Sequence, residues 1–287
     1  MQVPADIAAL FHEAEVYHQR GDVYNAVKLC KRIIKRLPDW HPPYALLGLV
    51  YKYRHDWKAA LHYNKKAVSL DASDRMAWWN VGIAATALKK TRLARNVWQK
   101  FGFSESDQRL LPALKSARVP WGDQFDMIWV RPIDPVRGVI DNIPAPGTDR
   151  RFRDIVLLDG VVAGYNVAQQ RRIPVYEELG LYKRSLYHTY SCWIAPAAPG
   201  DVERLAALCT AADLGFENWS NAAWVFAPQM ERALPEYYGP SALPLSAAAT
   251  ETHHIAIAAP SLQEAEMVLR NWQIISLGHF GNLTCHL

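Results

Sequence analysis

Apolar and small residues return every 34 positions through the first third of the chain. Leu10, Tyr44 and Trp78 are 34 apart, and so are Ala14, Gly48 and Gly82, and then Ala26, Ala60 and Ala94. Within one period, Tyr44, Leu47, Gly48 and Tyr51 follow helical spacing and share one face, which predicts an amphipathic helix. A second helix follows in each period, carrying the alanine and, four residues on, Cys30, Asn64 or Trp98. Gly21-Asp22, His55-Asp56 and Lys90-Thr91 break each pair of helices, and Pro38 ends the first unit. The pattern predicts three helical hairpins that cannot bury their apolar faces singly and must stack. Positions 14, 48 and 82 are small because the two helices of a hairpin approach most closely there.

The pattern then changes. Ser104 to Asp107, followed by Arg109, Leu110, Leu111, Leu114 and Lys115, predicts a capping helix shortened or bent at Pro112. Prolines and glycines punctuate 118–152, which predicts a connection or surface arm with one short strand at Trp129 to Ile133. Asp154 to Gly164 reads as two strands joined at Asp159-Gly160, a hairpin dipeptide, and Ile173 to Tyr176 as an edge strand, since Pro174 cannot donate. Two β-rich runs, Tyr187 to Ala195 and His253 to Ala258, each lead into a helix, the second opened by Ser261 and Glu264 as a capping box. The expected organisation is a helical repeat domain over 1–117, a Pro-rich arm over 118–152 and an α+β domain over 153–287, with a ferredoxin-like sandwich as one arrangement.

The repeat resembles the tetratricopeptide repeat family, whose pattern is W-x2-L-G-x2-Y followed by a small residue, an aromatic, an alanine and a proline. Matching positions are Leu10, Ala14, Tyr17, Ala26, Ile33 and Pro38 in the first unit. The second has Tyr44, Leu47, Gly48, Tyr51, Ala60 and Ala67; the third has Trp78, Val81, Gly82, Ala94, Trp98 and Phe101. The resemblance covers about residues 5–103 and departs at Asn64, where an aromatic is usual, and at Ala72, where proline is usual. It implies an α-helical solenoid whose first helices line a groove that holds a protein or peptide. By position the groove residues are Phe11, Glu15, His18 and Gln19, then Leu49, Lys52 and Tyr53, then Trp79 and Ile83. The carboxylate clamp of the chaperone-binding members is rejected, because only Lys52 and Asn80 are candidates and Leu46 stands where an Asn is expected.

Charge adds an asymmetry. Residues 1–105 hold 17 Lys+Arg against 9 Asp+Glu, and the remainder 15 against 19. A basic repeat region suits an acidic partner or a solvated helical surface about equally. The four cysteines, Cys30, Cys192, Cys209 and Cys285, form no CxxC pair. Free thiols, no run of membrane-spanning length and no signal-like start give a cytoplasmic expectation.

Chemistry is thinly marked. The chain has no HExxH, no GxSxG and no glycine loop placed to cradle phosphate, so no catalytic residue, metal or cofactor is assigned. Adjacent His253 and His254 point to opposite faces of a strand, and His279 with Cys285 and His286 makes an equally weak ligand set. The run from Asp149 to Asp154 suits a solvated turn better than a phosphate contact, so nucleic acid is disfavoured. The favoured function is a protein–protein interaction adaptor, with a partner-neutralising (immunity-like) or secretion accessory role as a narrower version. The alternative is an enzyme whose α+β domain uses His188, His253 or His254 with a nearby acid while the repeats recruit substrate. Oligomeric state is left open.

Overall fold

The computed structural model describes residues 3–103, 111, 114–168, 171–220 and 252–286. The predicted capping helix over 104–115 falls mainly outside the described residues. The chain divides into two compact units, Met1–Leu110 and Leu111–Leu287.

Among the described residues the first unit has six helices in three hairpins: α1 (Ala5–Gln19) with α2 (Val23–Arg36), α3 (Pro42–Tyr53) with α4 (Trp57–Leu70), and α5 (Arg75–Ala87) with α6 (Thr91–Lys100). The 34-residue period is written into the backbone and the hydrogen bonds. Gly21, His55 and Lys89, each 34 apart, all turn left-handed between the helices of a hairpin, at φ 79°, 57° and 56°. The next residue caps the second helix. Asp22 accepts from the Asn25 N–H and Asp56 from the Ala59 N–H, both at 3.1 Å, whereas Lys90 has no such side-chain bond. Tyr44 Oη donates to the Pro38 carbonyl at 2.9 Å, and Trp78 Nε1 donates to the equivalent Ala72 carbonyl at 3.0 Å. The connection between hairpins is thus held in the same way whether it carries proline or alanine.

Close approach occurs where the small residues predict it. A Cβ on Gly48 would fall within 2.5 Å of the Asn64 amide, and one on Gly82 would meet three Trp98 ring atoms within 2.7 Å. Asn64 is fully buried and donates to the Ala60 carbonyl at 2.9 Å. An amide therefore replaces the usual aromatic by bonding its own helix.

The second unit begins with a closed five-stranded barrel: β1 (Lys115–Trp121), β2 (Gln124–Pro132), β3 (Arg137–Ile140), β4 (Ile155–Ala168) and β5 (Arg171–Lys183). Neighbours pair antiparallel, and parallel β1–β5 pairing at Ser116 to Arg118 closes the barrel. Ala117, Val119, Ile128, Val130, Ile140, Val156 and Leu158 fill it. This corrects the Pro-rich arm expected over 118–152, since much of that segment is barrel strand. Pro132 tolerates this because it ends β2, and Pro120 lies beyond the stretch of β1 that pairs with β5. Asp159-Gly160 is likewise no hairpin. It is a bulge inside the long strand β4, where Asp159 Oδ1 accepts from its neighbour Gly160 N–H at 2.7 Å. Pro174 lies outside the β1–β5 register, as its missing donor requires.

After the barrel come β6 (His188–Ala195), α7 (Asp201–Ala211), β7 (Gly215–Asn218), β8 (His253–Ala259), α8 (Leu262–Ser276), β9 (His279–Phe280) and β10 (Thr284–Cys285). They form an antiparallel sheet in the order β10-β6-β8-β7, with β9 also on β6. One face packs Cys192, Ile194, Ile255 and Ile257 against Leu205 and Cys209 of α7 and Leu269 and Trp272 of α8. The other face sets Ala256 and Ala258 against Trp219 and, from the connection between β3 and β4, Ile143 and Phe152. The fold class is therefore a helical repeat followed by a β-rich part with two sheets.

Candidate partner-binding face and histidine cluster

The nine groove positions do not share one environment. On α1, Phe11, Glu15 and Gln19 recur at i, i+4 and i+8, with His18 beside them, and Leu49 and Tyr53 make the corresponding row on α3. Gln19 is exposed, Tyr53 is 45% exposed, and Glu15, His18 and Leu49 are half-buried. Phe11 packs edge-on against Trp40, with centroids 5.1 Å apart.

Further along the array the face closes. Lys52 is 1% exposed with its ammonium 4.2 Å from the Tyr53 ring centroid, and Ile83 is fully buried within a run, Asn80 to Thr86, that is buried throughout. Trp79 meets Trp98 at 5.1 Å and Phe101 at 4.9 Å, both edge-on. It therefore ties α5 to the end of α6, and its substitution would disturb packing before it disturbed recognition. The accessible surface consists of α1 and α3 side chains, without Lys52 or Ile83.

In the second unit the histidines proposed as catalytic are separated. His253 Nδ1 lies 3.3 Å from Asn218 Nδ2 on one face, and His188 lies tilted over Tyr190. His254 points to the other face, where its Nε2 is 3.1 Å from Ser191 Oγ; His286 Nε2 reaches the same oxygen at 2.7 Å. Ser191 has one proton, so one imidazole accepts it and the other must donate. Trp193 stacks on His254 at 4.8 Å, and Trp219 stands edge-on to it at 5.2 Å. Burial, reinforced by the neighbouring His286, holds His254 below the ordinary imidazole value, which favours its neutral form.

The hydrogen-bonding side-chain partners of His253 and His254 among the described residues are Asn218, Ser191 and Ser220, without a carboxylate. His279 and His286 sit at opposite ends of β6. No group of three His, Cys, Asp or Glu side chains among the described residues is arranged to hold a metal. The run from Asp149 to Asp154 is consumed by the fold: Phe152 is 7% exposed, Arg150 pairs with Glu178, and Arg184 with Asp154. Sequence reasoning missed Ser191, whose role depends on strand register, although His254 and His286 were visible as isolated residues.

The repeat geometry is matched in sequence by the human general transcription factor 3C polypeptide 3, 25% identical over 97 residues, 34% of this chain and 11% of that protein. The first third of the chain is a tetratricopeptide repeat segment. Solved structures with similar tetratricopeptide regions include an O-GlcNAc transferase variant of Thermobaculum terrenum, at 25% identity and TM-score 0.32 over 34% of this chain and 19% of that one. Another is the second tetratricopeptide domain of Spaghetti bound to the HSP90 peptide SRMEEVD, at 19% identity and TM-score 0.32 over 33% and 88%. The chain spans about a tenth of the curated relative, and no protein-family model matches it. Among the described residues no helix is long and apolar enough to cross a membrane.

Proposed function

We infer that the tetratricopeptide segment binds a polypeptide partner through the open part of its first-helix face, formed by Phe11, Glu15, His18, Gln19, Leu49 and Tyr53. The observation that carries this reading is the pair of i, i+4 rows on α1 and α3, which leaves aromatic and polar side chains accessible where α5 is closed. Tyr53 supplies an amphipathic ring at little entropic cost, and Gln19 and Glu15 supply polar contacts around it. Chemistry of this kind suits an adaptor, and a cytoplasmic setting is supported by four free thiols, one of them exposed. A dedicated partner-neutralising or secretion accessory protein is the narrower form. The β-rich part is read as support for that interaction. Among the described residues, the order β6-α7-β7-β8-α8-β10, with the two-residue β9 as an addition on β6 and the sheet order β10-β6-β8-β7, supports a ferredoxin-like description of the segment after the barrel.

The test is capture from a lysate of the source organism with the full chain as bait, beside a Gln19→Ala/Tyr53→Ala variant. Both side chains project from the surface, so the fold should survive, as circular dichroism would verify. The reading expects a polypeptide retained by the unaltered chain and lost by the variant. One partner at unit stoichiometry would favour the neutralising role, and several an adaptor. Equal retention by both chains contradicts the groove assignment.

A further inference from the structure

A second site lies in the same unit, on the second helix of the first hairpin. On α2, Val23, Val27 and Lys31 form one i, i+4 row, and Tyr24 and Lys28 form the row beside it. Gly21, in the left-handed turn before α2, leaves one end of this surface open. Arg54, in the equivalent turn of the next hairpin, borders its side. Together with Asp22 these residues surround an open concavity of about 760 Å³, a size at which short peptide segments and small ligands are held.

The lining is divided by chemistry. Val23 and Val27 are half-buried and make an apolar floor, while Lys28, Lys31 and Arg54 are exposed around it. Tyr24 is 75% exposed, with the Lys28 ammonium 6.0 Å from its ring centroid. Among the described residues none of the three cations has a carboxylate partner, whereas Arg36 on the same helix pairs with Asp6. Asp22 is the one acid in the lining, and it is engaged. It accepts from the Asn25 N–H at 3.1 Å and from Asn25 Nδ2 at 2.7 Å, contacts that hold it below the usual carboxylate range. Three cations therefore face one anion whose oxygens already cap a helix.

We propose that this concavity binds an acidic polypeptide segment, seating one apolar side chain on Val23 and Val27 while flanking Asp or Glu residues meet Lys28, Lys31 and Arg54. An apolar floor ringed by unpaired cations rewards a side chain that is greasy at the centre and anionic at its margins. A nucleic-acid strand fits less well, because binding there grows with a run of phosphate contacts and stacking platforms, and this pocket concentrates its charge round one hollow with one exposed ring. The site uses the second helix of a hairpin and two turns, so its lining shares no residue with the groove on α1 and α3.

The probe is a fluorescein-labelled nine-residue peptide of Asp and Glu with one central Phe, titrated with the full chain by fluorescence anisotropy. The reference probe replaces Phe by Ser. Binding of the Phe peptide should weaken about tenfold or more in a Lys28→Glu/Lys31→Glu/Arg54→Glu variant and also in Val27→Asp, with circular dichroism unchanged. Reversing Lys58 and Lys65, exposed on α4, should leave it within twofold, and so should Gln19→Ala/Tyr53→Ala. The last result separates this site from the groove, whose failure would leave the proposal intact. Three outcomes overturn it: equal affinity for the Phe and Ser peptides, equal weakening by reversal at Lys58 and Lys65, or complete displacement of the peptide by oligo(dT) at a lower concentration than by unlabelled peptide.

Discussion

Gly82→Ala puts one methyl where the third hairpin has no space. The new Cβ would lie within 2.7 Å of three ring atoms of Trp98, well inside van der Waals contact. Trp98 is 6% exposed and is pressed edge-on by Trp79 at 5.1 Å, so the indole cannot step back without moving a second ring. Helix propensity pulls the other way, since alanine in a helix interior is favoured over glycine by about 1 kcal/mol. Overpacking a filled core costs about 1–3 kcal/mol, and a rigid ring hemmed in by another belongs at the upper end. The expected net loss is about 1–2 kcal/mol, or roughly 5–15 °C in the melting of a unit this size. Urea titration followed by far-UV circular dichroism reads this, because the helical signal comes mostly from the first unit. Adding Trp98→Leu should convert the same Gly82→Ala change into a gain, with a coupling of about 2 kcal/mol in the double-mutant cycle. A Gly82→Ala protein as stable as the parent, or a cycle with no coupling, would refute the close-approach argument and the hairpin packing derived from it.

Three further outcomes follow from the second unit. Enclosure by protein atoms pushes the Glu217 carboxyl up to about 8, although part of the residue still meets solvent, and Asp126 nearby is raised to about 6. A raised folded value means the native state holds the proton. The stabilisation is complete below the ordinary carboxylate range and is lost as pH rises through 8, about 2–4 kcal/mol after allowing for solvent; urea midpoints should fall from pH 5 to pH 9, and Glu217→Gln should flatten that decline. His254 moves in the opposite sense: its depressed value means stability is present above the ordinary imidazole value and lost on acidification, and His286→Ala should raise the His254 titration midpoint seen by NMR toward the ordinary value. Asp154 is fully buried and accepts from Arg151 N–H at 2.9 Å, Ser185 N–H at 2.7 Å and Arg184 at 3.0 Å, so Asp154→Ala should cost about 3–5 kcal/mol in thermal unfolding by leaving these donors unmatched.

How far the fold could be read ahead depended on the range of the interactions. The hairpins were legible because their contacts lie within one 34-residue period. Ala14 with Cys30, Gly48 with Asn64, and Gly82 with Trp98 announce the same crossing three times. The capping box of α8 was visible for the same reason, and Ser261 does accept from the Glu264 N–H at 3.3 Å. The barrel was not legible, because its closure is a parallel pairing of β1 with β5 across about 60 residues, and its prolines mimic loop punctuation locally. Asp159-Gly160 misled because a side chain that bonds its own backbone serves a bulge as well as a turn. For the groove, repeat position told which residues belong to the first-helix face but not which remain accessible. Lys52 and Ile83 occupy groove positions and are buried, a distinction set by packing outside the repeat pattern. The α2 concavity escaped notice because Tyr24, Lys28 and Lys31 look like an ordinary solvated helix face until Arg54 is placed beside them.

The claim that a polypeptide docks on the open first-helix face is tested most directly by site-specific photocrosslinking. A benzophenone amino acid would replace Tyr53 in the full chain and, for comparison, Ile274, which is 76% exposed on α8. After irradiation in a lysate of the source organism, the account predicts a discrete polypeptide adduct at position 53, absent at 274 and competed away by the unmodified protein. Adducts at 274 alone, or the same adducts at both positions, would contradict it.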